Sequence, residues 1–476
     1  MSVRAVAAVF VCLGALLASR TGFALDVRHA PEVSVADVVV VGAGGAGLAA
    51  ATTLAQAGRS VVVLEKMPAI GGNTLRAAGF FNAVDKEQRE KKSDSEELYY
   101  EQMIASGGGE NTPAVVAAFI AQTEPTLTWL RALGLKFHAQ PQAVWGAEWA
   151  RGHKPYEPRG QGYIRVMSAE LLKRGGQILT NARVTDLIMT EKGDVHGVQY
   201  VRGGQTYDLL ARNAVVLAAG GYAANRELLR KHAPQWADLP TDNNPGNTGD
   251  LLGIAEQAGA EVVGMKNVQV VPGGPKGQGF QVRLDMDAAR SILIDGHGRR
   301  FIAEDSARNQ LSRAVLERKN AGVYSLTNQL TVDSYDIVTK KDIYRGLETG
   351  TAFRAESLEA LARLISVDPA VLTDTVERYN REVREKTGKC ARLTCQELQT
   401  GPYWASPIDL TIHSTLGGLR IDEKARVLRA DGSVIGGLYA AGEVTGNVHG
   451  QNRLGGNGIT DAITFGRIAA LTILAE

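Results

Sequence analysis

The strongest hydrophobic pattern near the start of the chain is the unbroken run Val-Val-Val-Val at residues 38–41. A continuous β-branched run is typical of a strand buried on both faces of a parallel sheet. An alanine-rich segment at 48–57 predicts a helix, and residues 60–64 predict a second strand that is followed by Glu65. The pattern therefore predicts a strand–helix–strand unit at the start of the folded chain.

The pattern of apolar positions changes at about residue 265. Between the strand–helix–strand unit and residue 265 we predict four further strands, at 177–179, 183–190, 197–201 and 214–222. We also predict three further helices, at 112–133, at 163–174 and opening at 247–250. After residue 265 we predict a hairpin, one strand and three helices, at 291–294 with 300–302, near 323–332, and near 305–319, 356–366 and 369–387. The first pattern returns with a strand at 437–443 and a final helix that opens at 452–461. The second region therefore reads as an α+β module inserted into an α/β domain.

Composition places the chain among ordinary globular proteins, with 44% hydrophobic and 22% charged residues in a length of 476. This length is enough for two or three domains and a large core. Lys and Arg number 52 against 51 acidic residues, a formal net charge of +1. Because neither sign dominates, the composition argues against a nucleic acid or an anionic membrane surface as a partner.

Gly42, Gly44 and Gly47 follow the first predicted strand with the spacing G-x-G-x-x-G. Glycine is needed at the tight turn, where the backbone approaches a pyrophosphate, and where the helix touches the sheet. The helix N-terminus then offers free N–H groups to phosphate, and Glu65 stands where a carboxylate accepts hydrogen bonds from a ribose. The order of these features predicts a dinucleotide-binding unit. The alternative is an α/β turn that binds no nucleotide.

Further polar, glycine-rich segments favour a cofactor longer than NAD. Gly71, Gly72 and Asn73 form a second flexible stretch, which a flavin dinucleotide would require and NAD would not. Segments 214–222 and 247–250 look like further backbone edges around the nucleotide. The N–H groups at the start of the final helix are placed to stabilise negative charge on a reduced flavin.

Residues 1–24 are predicted to be a secretory signal peptide. Arg4 precedes an apolar run at 5–17, and Gly22-Phe23-Ala24 supplies small residues for cleavage. The apolar run is too short to span a bilayer comfortably, although an uncleaved N-terminal anchor is the alternative. We therefore expect a periplasmic or secreted protein with no stable membrane insertion.

Two cysteines, Cys390 and Cys395, remain when Cys12 leaves with the signal peptide. In an oxidising compartment they form either a small-loop disulfide or two free thiols, and the sequence leaves both alternatives open. With no histidine nearby they do not make a zinc site, and we predict no metal. The sequence has no C-x-x-C-H motif, so we expect no c-type haem on this chain.

From residue 36 onward the chain resembles flavoproteins of the fumarate reductase/succinate dehydrogenase superfamily, in particular the soluble flavocytochrome c branch that includes urocanate reductases. The most specific segments are Gly442-Glu-Val-Thr-Gly and His449-Gly-Gln-Asn-Arg-Leu-Gly-Gly-Asn. Other matching segments lie at 41–47, 71–73, 217–221, 300–301, 372–380, 415–418 and 437–467. The resemblance implies an α/β fold, with a Rossmann-like FAD-binding domain and an inserted α+β capping domain.

On this basis residues 36–267 and 405–476 are expected to form the FAD-binding domain, and residues 268–404 the capping domain. FAD is expected to be non-covalent, because residues 72–79 contain no histidine for the covalent link of the membrane-bound relatives. The residues expected to bind FAD are Gly42, Gly44, Gly45, Ala46, Gly47, Glu65, Lys66, Gly71, Gly72, Asn73, Thr74, Ala78, Gly79, Val184, Ala219, Gly220, Asp250, Gly442, Glu443, Asn457, Gly458 and Ile459.

The resemblance also implies the chemistry, which is hydride exchange between flavin and a carbon near a carboxylate, paired with proton transfer from an arginine. Arg308 matches the position of that arginine. Arg453 matches the arginine that binds the substrate carboxylate, a task suited to a planar guanidinium. His449 completes the expected catalytic set. The alternative for Arg308 is a second carboxylate clamp.

The chain departs from the fumarate-reducing relatives at two expected histidines. Val271 occupies one position, and Ser414 occupies the other, with His413 one residue earlier. Because valine offers no donor and serine only a short hydroxyl, we expect fumarate to be a poor substrate. We expect Asp285 or Asp287 to read a basic ring at the far end of the substrate. The residues expected to contact substrate are Val271, Asp285, His413, Ser414 and Gly455.

Two kinds of function remain open. The first is an FAD-dependent reductase of the C=C bond of an α,β-unsaturated carboxylate, or a dehydrogenase that runs in the opposite direction on a saturated acid. The second is a flavin electron-transfer protein with a degenerate active site. The retained Arg308, Arg453 and His449 favour the enzyme. The expected partners are a small carboxylic acid and a separate cytochrome or quinol-linked electron donor.

Overall fold

A computed structural model describes residues 34–91, 93–142, 144, 149–274, 280–388 and 395–476. The predicted signal peptide and Cys390 lie outside the described residues, so the structure does not test the export prediction or the disulfide alternative.

The α-helices are α1 (Gly45–Gln56), α2 (Lys86–Glu90), α3 (Glu96–Gly107), α4 (Pro113–Ala132), α5 (Gln161–Lys173), α6 (Arg226–His232), α7 (Asp250–Gln257), α8 (Arg308–Arg318), α9 (Gln329–Ser334), α10 (Ile337–Thr349), α11 (Leu358–Leu364), α12 (Pro369–Glu385) and α13 (Asn457–Ala475). Short 3₁₀ helices lie at Gly72–Arg76, Pro234–Trp236 and Lys319–Ala321.

The strands are β1 (Val35–Val41), β2 (Val61–Leu64), β3 (Phe81–Asn82), β4 (Gly152–His153), β5 (Gln177–Leu179), β6 (Arg183–Met189), β7 (Val195–Arg202), β8 (Gln205–Leu217), β9 (Val262–Val263), β10 (Val268–Gly273), β11 (Ile292–Asp295), β12 (Val323–Asn328), β13 (Phe353–Ala355), β14 (Tyr403–Pro407), β15 (Asp409–Thr415), β16 (Gly418–Leu419), β17 (Arg426–Leu428) and β18 (Val434–Ala440).

The valine run forms β1 at the centre of the largest sheet, whose order is β17-β18-β8-β1-β2-β5. Strand β1 pairs in parallel with β2 on one side and with β8 on the other. Val38, Val39 and Val40 are fully buried, as a strand covered on both faces requires. Helices α1 and α13 lie together in the same core. The predicted strand–helix–strand unit is therefore confirmed.

A second, antiparallel sheet lies in the later part of the chain, in the order β11-β12-β14-β13. Helices α11 and α12 cover it through a separate apolar cluster that includes Leu361, Leu372 and Val376. This sheet and its helices interrupt the chain between β8 and β18, two parallel neighbours of the large sheet. The predicted fold class, an α/β domain with an inserted α+β module, is confirmed.

Several details of the later region differ from the sequence prediction, and strands β13 and β14 are among the elements that were not predicted. Residues 300–302 do not pair as a strand of a hairpin, and only an isolated bridge joins Ile294 to Arg300. The strand predicted to 332 ends at Asn328, because the Asn328 side chain accepts a hydrogen bond from Thr331 N and starts helix α9. Helix α10 was not predicted, because Ile337 is 75% exposed and obscures its apolar pattern.

Strands β10 and β15 form a separate antiparallel ribbon between the two sheets, in which Gln269 lies opposite Ser414. Helix α8 packs on this ribbon, and Ser312 Oγ donates a hydrogen bond of 2.6 Å to Val270 O. The ribbon therefore brings residues 268–273, the start of α8 and residues 409–415 together.

Within the described residues, α13 is the one helix long and apolar enough to cross a bilayer, with a mean hydropathy of 1.4. It is mostly buried against the protein interior, and Ile463, Phe465 and Ala469 are fully buried. Its apolar composition is accounted for by its place in the core.

Candidate active site

A cavity of about 1140 Å³ opens beside the carboxyl ends of β1, β2 and β8 and extends to the start of α8. Most of the predicted residues line it, namely Gly42, Gly44, Gly45, Ala46, Glu65, Lys66, Gly72, Asn73, Thr74, Ala78, Gly79, Val184, Ala219, Gly220, Asp250, Gly442, Glu443, Gly458 and Ile459, together with Arg308, Arg453, His449, His413 and Ser414. The predicted residues outside this lining are Gly47, Gly71, Asn457, Val271, Asp285 and Gly455.

The three motif glycines have three different surroundings. Gly42 has a φ of +108°, which an L side chain rarely adopts. A Cβ at Gly47 would lie 1.8 Å from Gly42 O, so Gly47 lets α1 start against the end of β1 and does not face the cavity. A Cβ at Gly44 would meet no protein atom within 4 Å, and Gly44 lines the cavity. Gly44 is therefore the position at which a ligand can approach the backbone.

Glu65 holds the glycine turn as well as lining the cavity. Its Oε2 accepts a 2.9 Å hydrogen bond from Ala43 N, and its Oε1 accepts one of 2.8 Å from Met67 N. Gly71 N donates to Ala43 O at 2.8 Å, which ties the second glycine segment to the first. Gly71 therefore shapes the cavity from behind its lining.

Glu443 joins three distant parts of the chain at the middle of the cavity. Its carboxylate accepts hydrogen bonds from Asn73 Nδ2 at 3.2 Å, Asn247 Nδ2 at 3.3 Å and Thr415 N at 2.9 Å. Burial raises the pKa of the Glu443 carboxyl, and the hydrogen bonds from Thr415 and Asn73 oppose that rise. These hydrogen bonds hold the segments that contain Asn73, Asn247 and Thr415 together at the cavity wall.

Asn457 anchors the final helix through its side chain and does not reach the cavity. Its Oδ1 accepts hydrogen bonds from Asn82 Nδ2 at 2.7 Å and from Tyr99 OH at 2.5 Å, and the residue is fully buried. The carbonyl of Gly455 is occupied in the same way by Asn82 Nδ2, at 2.7 Å. The next residues of α13, Gly458 and Ile459, do line the cavity.

Arg308 and Arg453 meet at the far end of the cavity through one glutamine. Arg308 Nη1 donates to Gln269 Oε1 at 2.8 Å, and Gln269 Nε2 donates to Arg453 O at 2.8 Å. The Nε atoms of both arginines are buried without a hydrogen-bond partner among the described residues. Gln269 was missed from the sequence. It lies two positions before Val271, so strand alternation places both on the same face of β10.

The electrostatics of the two arginines differ in a way that bears on proton transfer. Burial lowers the pKa of Arg308 well below its usual range, and the positive charges of Arg453 and Arg283 lower it further. Burial also lowers the pKa of Arg453, but the carboxyl groups of Glu443 and Asp461 oppose that change. The Arg308 guanidinium is therefore the one that holds its proton less tightly.

Two histidines line the same region. His413 Nδ1 lies 2.8 Å from Asp242 Oδ2, and burial lowers the pKa of His413 to about 4 despite this carboxylate. At neutral pH the ring is therefore uncharged, and its Nδ1–H donates to Asp242. His449 Nε2 lies 3.4 Å from Asp461 Oδ2, and Nε2 makes no hydrogen bond with the described residues. His449 therefore lines the cavity with the Asp461 carboxylate beside its Nε2.

Asp285 does not reach the cavity, contrary to the sequence prediction. It is 1% exposed, and its two oxygens accept from Arg283 Nε at 2.9 Å and from Arg283 Nη2 at 3.1 Å. Arg283 lines the cavity in its place. Val271 is also buried and lies opposite Thr411 within the ribbon, outside the lining. A basic group therefore stands where an acidic one was expected.

These residues fit a flavin dinucleotide and a small anionic acid. The cavity exceeds the roughly 300–1,000 Å³ of ordinary ligand pockets, and its long part is lined by glycine backbone, as close approach to a pyrophosphate requires. Buried guanidinium atoms without partners need an acceptor, and carboxylate is the acceptor that they match best. Among the described residues no cluster of His, Cys, Asp or Glu forms a metal site.

The chain matches the FAD binding domain family over residues 37–459. It is 36% identical to a fumarate reductase (cytochrome) of Shewanella frigidimarina over 441 residues, which are 91% of this chain and 76% of that protein. It is 34% identical to an NADH:acrylate oxidoreductase of Vibrio harveyi over 501 residues, and the match covers 91% of this chain and 50% of that protein.

A solved structure with the same fold is the open conformation of a flavocytochrome c3 fumarate reductase. The similarity has a TM-score of 0.73 at 29% identity, and it covers 93% of this chain and 78% of that one. The family match spans most of the chain, and the cofactor loops and the arginine pair occupy one cavity. The chain therefore belongs to the FAD binding domain family, within the fumarate reductase/succinate dehydrogenase flavoproteins, and is an FAD-dependent oxidoreductase.

Proposed function

We propose that the protein reduces the C=C bond of an α,β-unsaturated carboxylate and binds FAD non-covalently. The observation that carries this proposal is the arginine pair. Arg308 and Arg453 share Gln269 and leave buried Nε atoms without partners among the described residues, in the same cavity as the dinucleotide-binding loops. A substrate carboxylate supplies the acceptor that these atoms lack.

Each arginine has a separate role in the proposal. FAD, when bound and reduced by the electron donor, would supply a hydride to one carbon of the double bond. Arg453 binds the carboxylate, because it is buried and neighbouring carboxyl groups help to keep it charged. Arg308 delivers a proton to the other carbon, because its lowered pKa weakens its hold on that proton. The double bond thereby gains a hydride and a proton, the product is the saturated acid, and a proton from solvent restores Arg308.

We also propose that the protein works in the periplasm or is secreted, and that a separate cytochrome or quinol-linked donor supplies its electrons. The support for export is the sequence of residues 1–24, with Arg4, the apolar run and the small residues before Leu25. The support for a separate donor is that FAD would occupy the one complete G-x-G-x-x-G unit identified in the sequence, which leaves NADH no equivalent site.

The test is anaerobic oxidation of reduced viologen by the purified holoprotein, with fumarate, crotonate, cinnamate and urocanate offered separately. We expect at least one acid to oxidise the viologen and to appear as its saturated product. Failure with every acid, together with fast electron exchange with a cytochrome, would identify an electron carrier instead. NADH serves as a second donor in the same assay, and rapid bleaching of the flavin by NADH would overturn the proposed donor.

A further inference from the structure

The cavity lining contains a third arginine that the proposed reaction does not yet use. Arg283 lines the cavity, and its side chain is 22% exposed. Its positive charge acts on Arg308, and the charge of Asp242 acts on it in turn. Arg283 therefore belongs to the same electrostatic site as the residues that hold the reacting carboxylate.

Asp285 fixes the orientation of Arg283. Both hydrogen bonds of Arg283 within the described residues go to Asp285, through Nε and Nη2. A bidentate pair of this kind fixes the plane of the guanidinium. The remaining nitrogen, Nη1, carries two N–H groups that no described residue uses. The pair has no net charge, but Nη1 leaves a rigid hydrogen-bond donor on a residue that lines the cavity.

This arrangement selects the chemistry of the substrate's distal group. A donor favours a carboxylate, ester or carbonyl oxygen, whereas a basic ring would meet the positive charge of Arg283 without reaching Asp285, which is 1% exposed. Arg283 also supplies a donor where Val271 and Ser414 offer none or only a short hydroxyl. These contacts therefore favour a distal oxygen acceptor over the basic ring expected from the sequence.

We propose that Arg283, held by Asp285, is the residue that recognises a hydrogen-bond acceptor on the substrate carbon chain opposite the reacting carboxylate. This inference rests on the proposed reduction of an unsaturated acid and names the class of that acid. The preferred substrates carry a second carboxylate or another oxygen acceptor at the distal end.

The test compares Arg283→Met with the parent protein on fumarate, monomethyl fumarate and crotonate. Each variant is compared with the parent on the same acid, so the intrinsic reactivities of the acids cancel. We expect kcat/KM to fall roughly 10–150-fold for the two acids with a distal acceptor, which is the effect of losing one hydrogen bond to a charged group. Crotonate, which ends in a methyl group, is expected to change less than threefold.

Two further variants test whether the loss in Arg283→Met comes only from the unpaired charge of Asp285 or from the loss of any arginine. Arg283→Met leaves Asp285 buried without its partner, so the double variant Arg283→Met/Asp285→Asn removes both charges and is expected to show the same selective loss. Arg313→Met is the matched control, because Arg313 is 84% exposed on the same helix as Arg308. We expect Arg313→Met to leave kcat/KM unchanged for all three acids.

Calorimetric titration of the oxidised holoprotein separates this inference from the proposed reaction, since no turnover occurs without reductant. Weaker binding of fumarate but not crotonate in Arg283→Met supports the assignment even if no acid is reduced. Equal losses on all three acids, or tighter binding of urocanate than of fumarate by the parent, would overturn it. Reduction of crotonate with no selective effect of Arg283→Met would overturn it and leave the proposed reaction standing.

Discussion

The two ends of the cavity are built in different ways. The dinucleotide end includes the glycine turn after β1 and the starts of α7 and α13. The acid end is lined by titratable side chains, with Arg308 from α8, Arg453 from the segment before α13 and His413 from β15. One end therefore presents a glycine turn and helix starts, and the other presents buried titratable groups.

This difference predicts which changes in pH or sequence will affect ligand binding at each end. Recognition by the backbone at Gly44 depends on the absence of a side chain. Recognition by buried charges depends on partners, as Arg308 depends on Gln269 and Arg283 depends on Asp285. We therefore expect the acid end to respond to pH and to single charge substitutions, and the dinucleotide end to respond to steric bulk.

The largest expected effect is at Arg308. Arg308→Met removes the proposed proton donor, and kcat should fall about 10²–10⁴-fold, the usual contribution of general acid catalysis. Arg453→Met should mainly raise KM, because it removes a carboxylate fork that is made before the reaction. Steady-state kinetics on the best acid distinguishes the two. A raised KM alone in both variants would make Arg308 a second carboxylate clamp.

The comparison is sharpened by placing a methyl group at the dinucleotide end. Gly44→Ala should weaken FAD binding roughly 5–150-fold, the effect of overfilling a close contact. Its Cβ would meet no protein atom within 4 Å, so the chain itself should fold normally. FAD released into the supernatant by acid precipitation measures occupancy, and a pellet that stays yellow would contradict non-covalent binding.

Gly253→Ala is the matched control for that substitution. Gly253 is exposed within α7, has no clash within 4 Å and is absent from the cavity lining. Alanine in a helix interior should stabilise the protein by about 0.5–1 kcal/mol and leave FAD occupancy unchanged. Equal loss of FAD in both variants would mean that Gly44 has no special place at the cofactor.

The smallest expected effect is a pH dependence that belongs to the acid end. The folded protein lowers the pKa of His413 from 6.5 to about 4, so between these values the unfolded chain binds a proton that the folded chain does not. The free energy of unfolding should therefore fall as pH drops, with a contribution from His413 of up to about 2 kcal/mol between pH 7 and pH 5.

His413→Asn should remove that part of the pH dependence. Urea unfolding of the holoprotein at pH 7 and pH 5 measures it, and the variant should lose less stability between the two than the parent. If the parent and His413→Asn lose the same free energy of unfolding between pH 7 and pH 5, then His413 is protonated in the folded state and forms an ion pair with Asp242.

The dinucleotide end could be predicted because its signals are local. The spacing of Gly42, Gly44 and Gly47 and the run at 38–41 lie within a few residues of one another, and the structure confirms the elements they predict. Gly47 lies outside the cavity lining because the third glycine of the motif serves the contact between helix α1 and strand β1.

The acid end could be predicted only in part. Arg308, Arg453 and His449 were identified through the family motifs, and the structure brings all three to one cavity. The role of Asp285 could not be predicted from its sequence position. The partner of a buried carboxylate determines whether its oxygens can contact a ligand, and Arg283 donates to both oxygens of Asp285. Asn457 misled for the same reason: its side chain is engaged behind the cavity by Asn82 and Tyr99.

The β10–β15 ribbon constrains how the inserted module can move. The chain enters the module through β10 and leaves it next to β15, and these strands are hydrogen-bonded to each other. We therefore expect a rotation of the module against the large sheet to use this ribbon as its hinge. Gln269 and His413 sit on the hinge, whereas Asp342 of α10 lies off it and contacts Arg159 at 3.1 Å. A movement of α10 away from Arg159 would part this ion pair, while Gln269 and His413 stay on the ribbon.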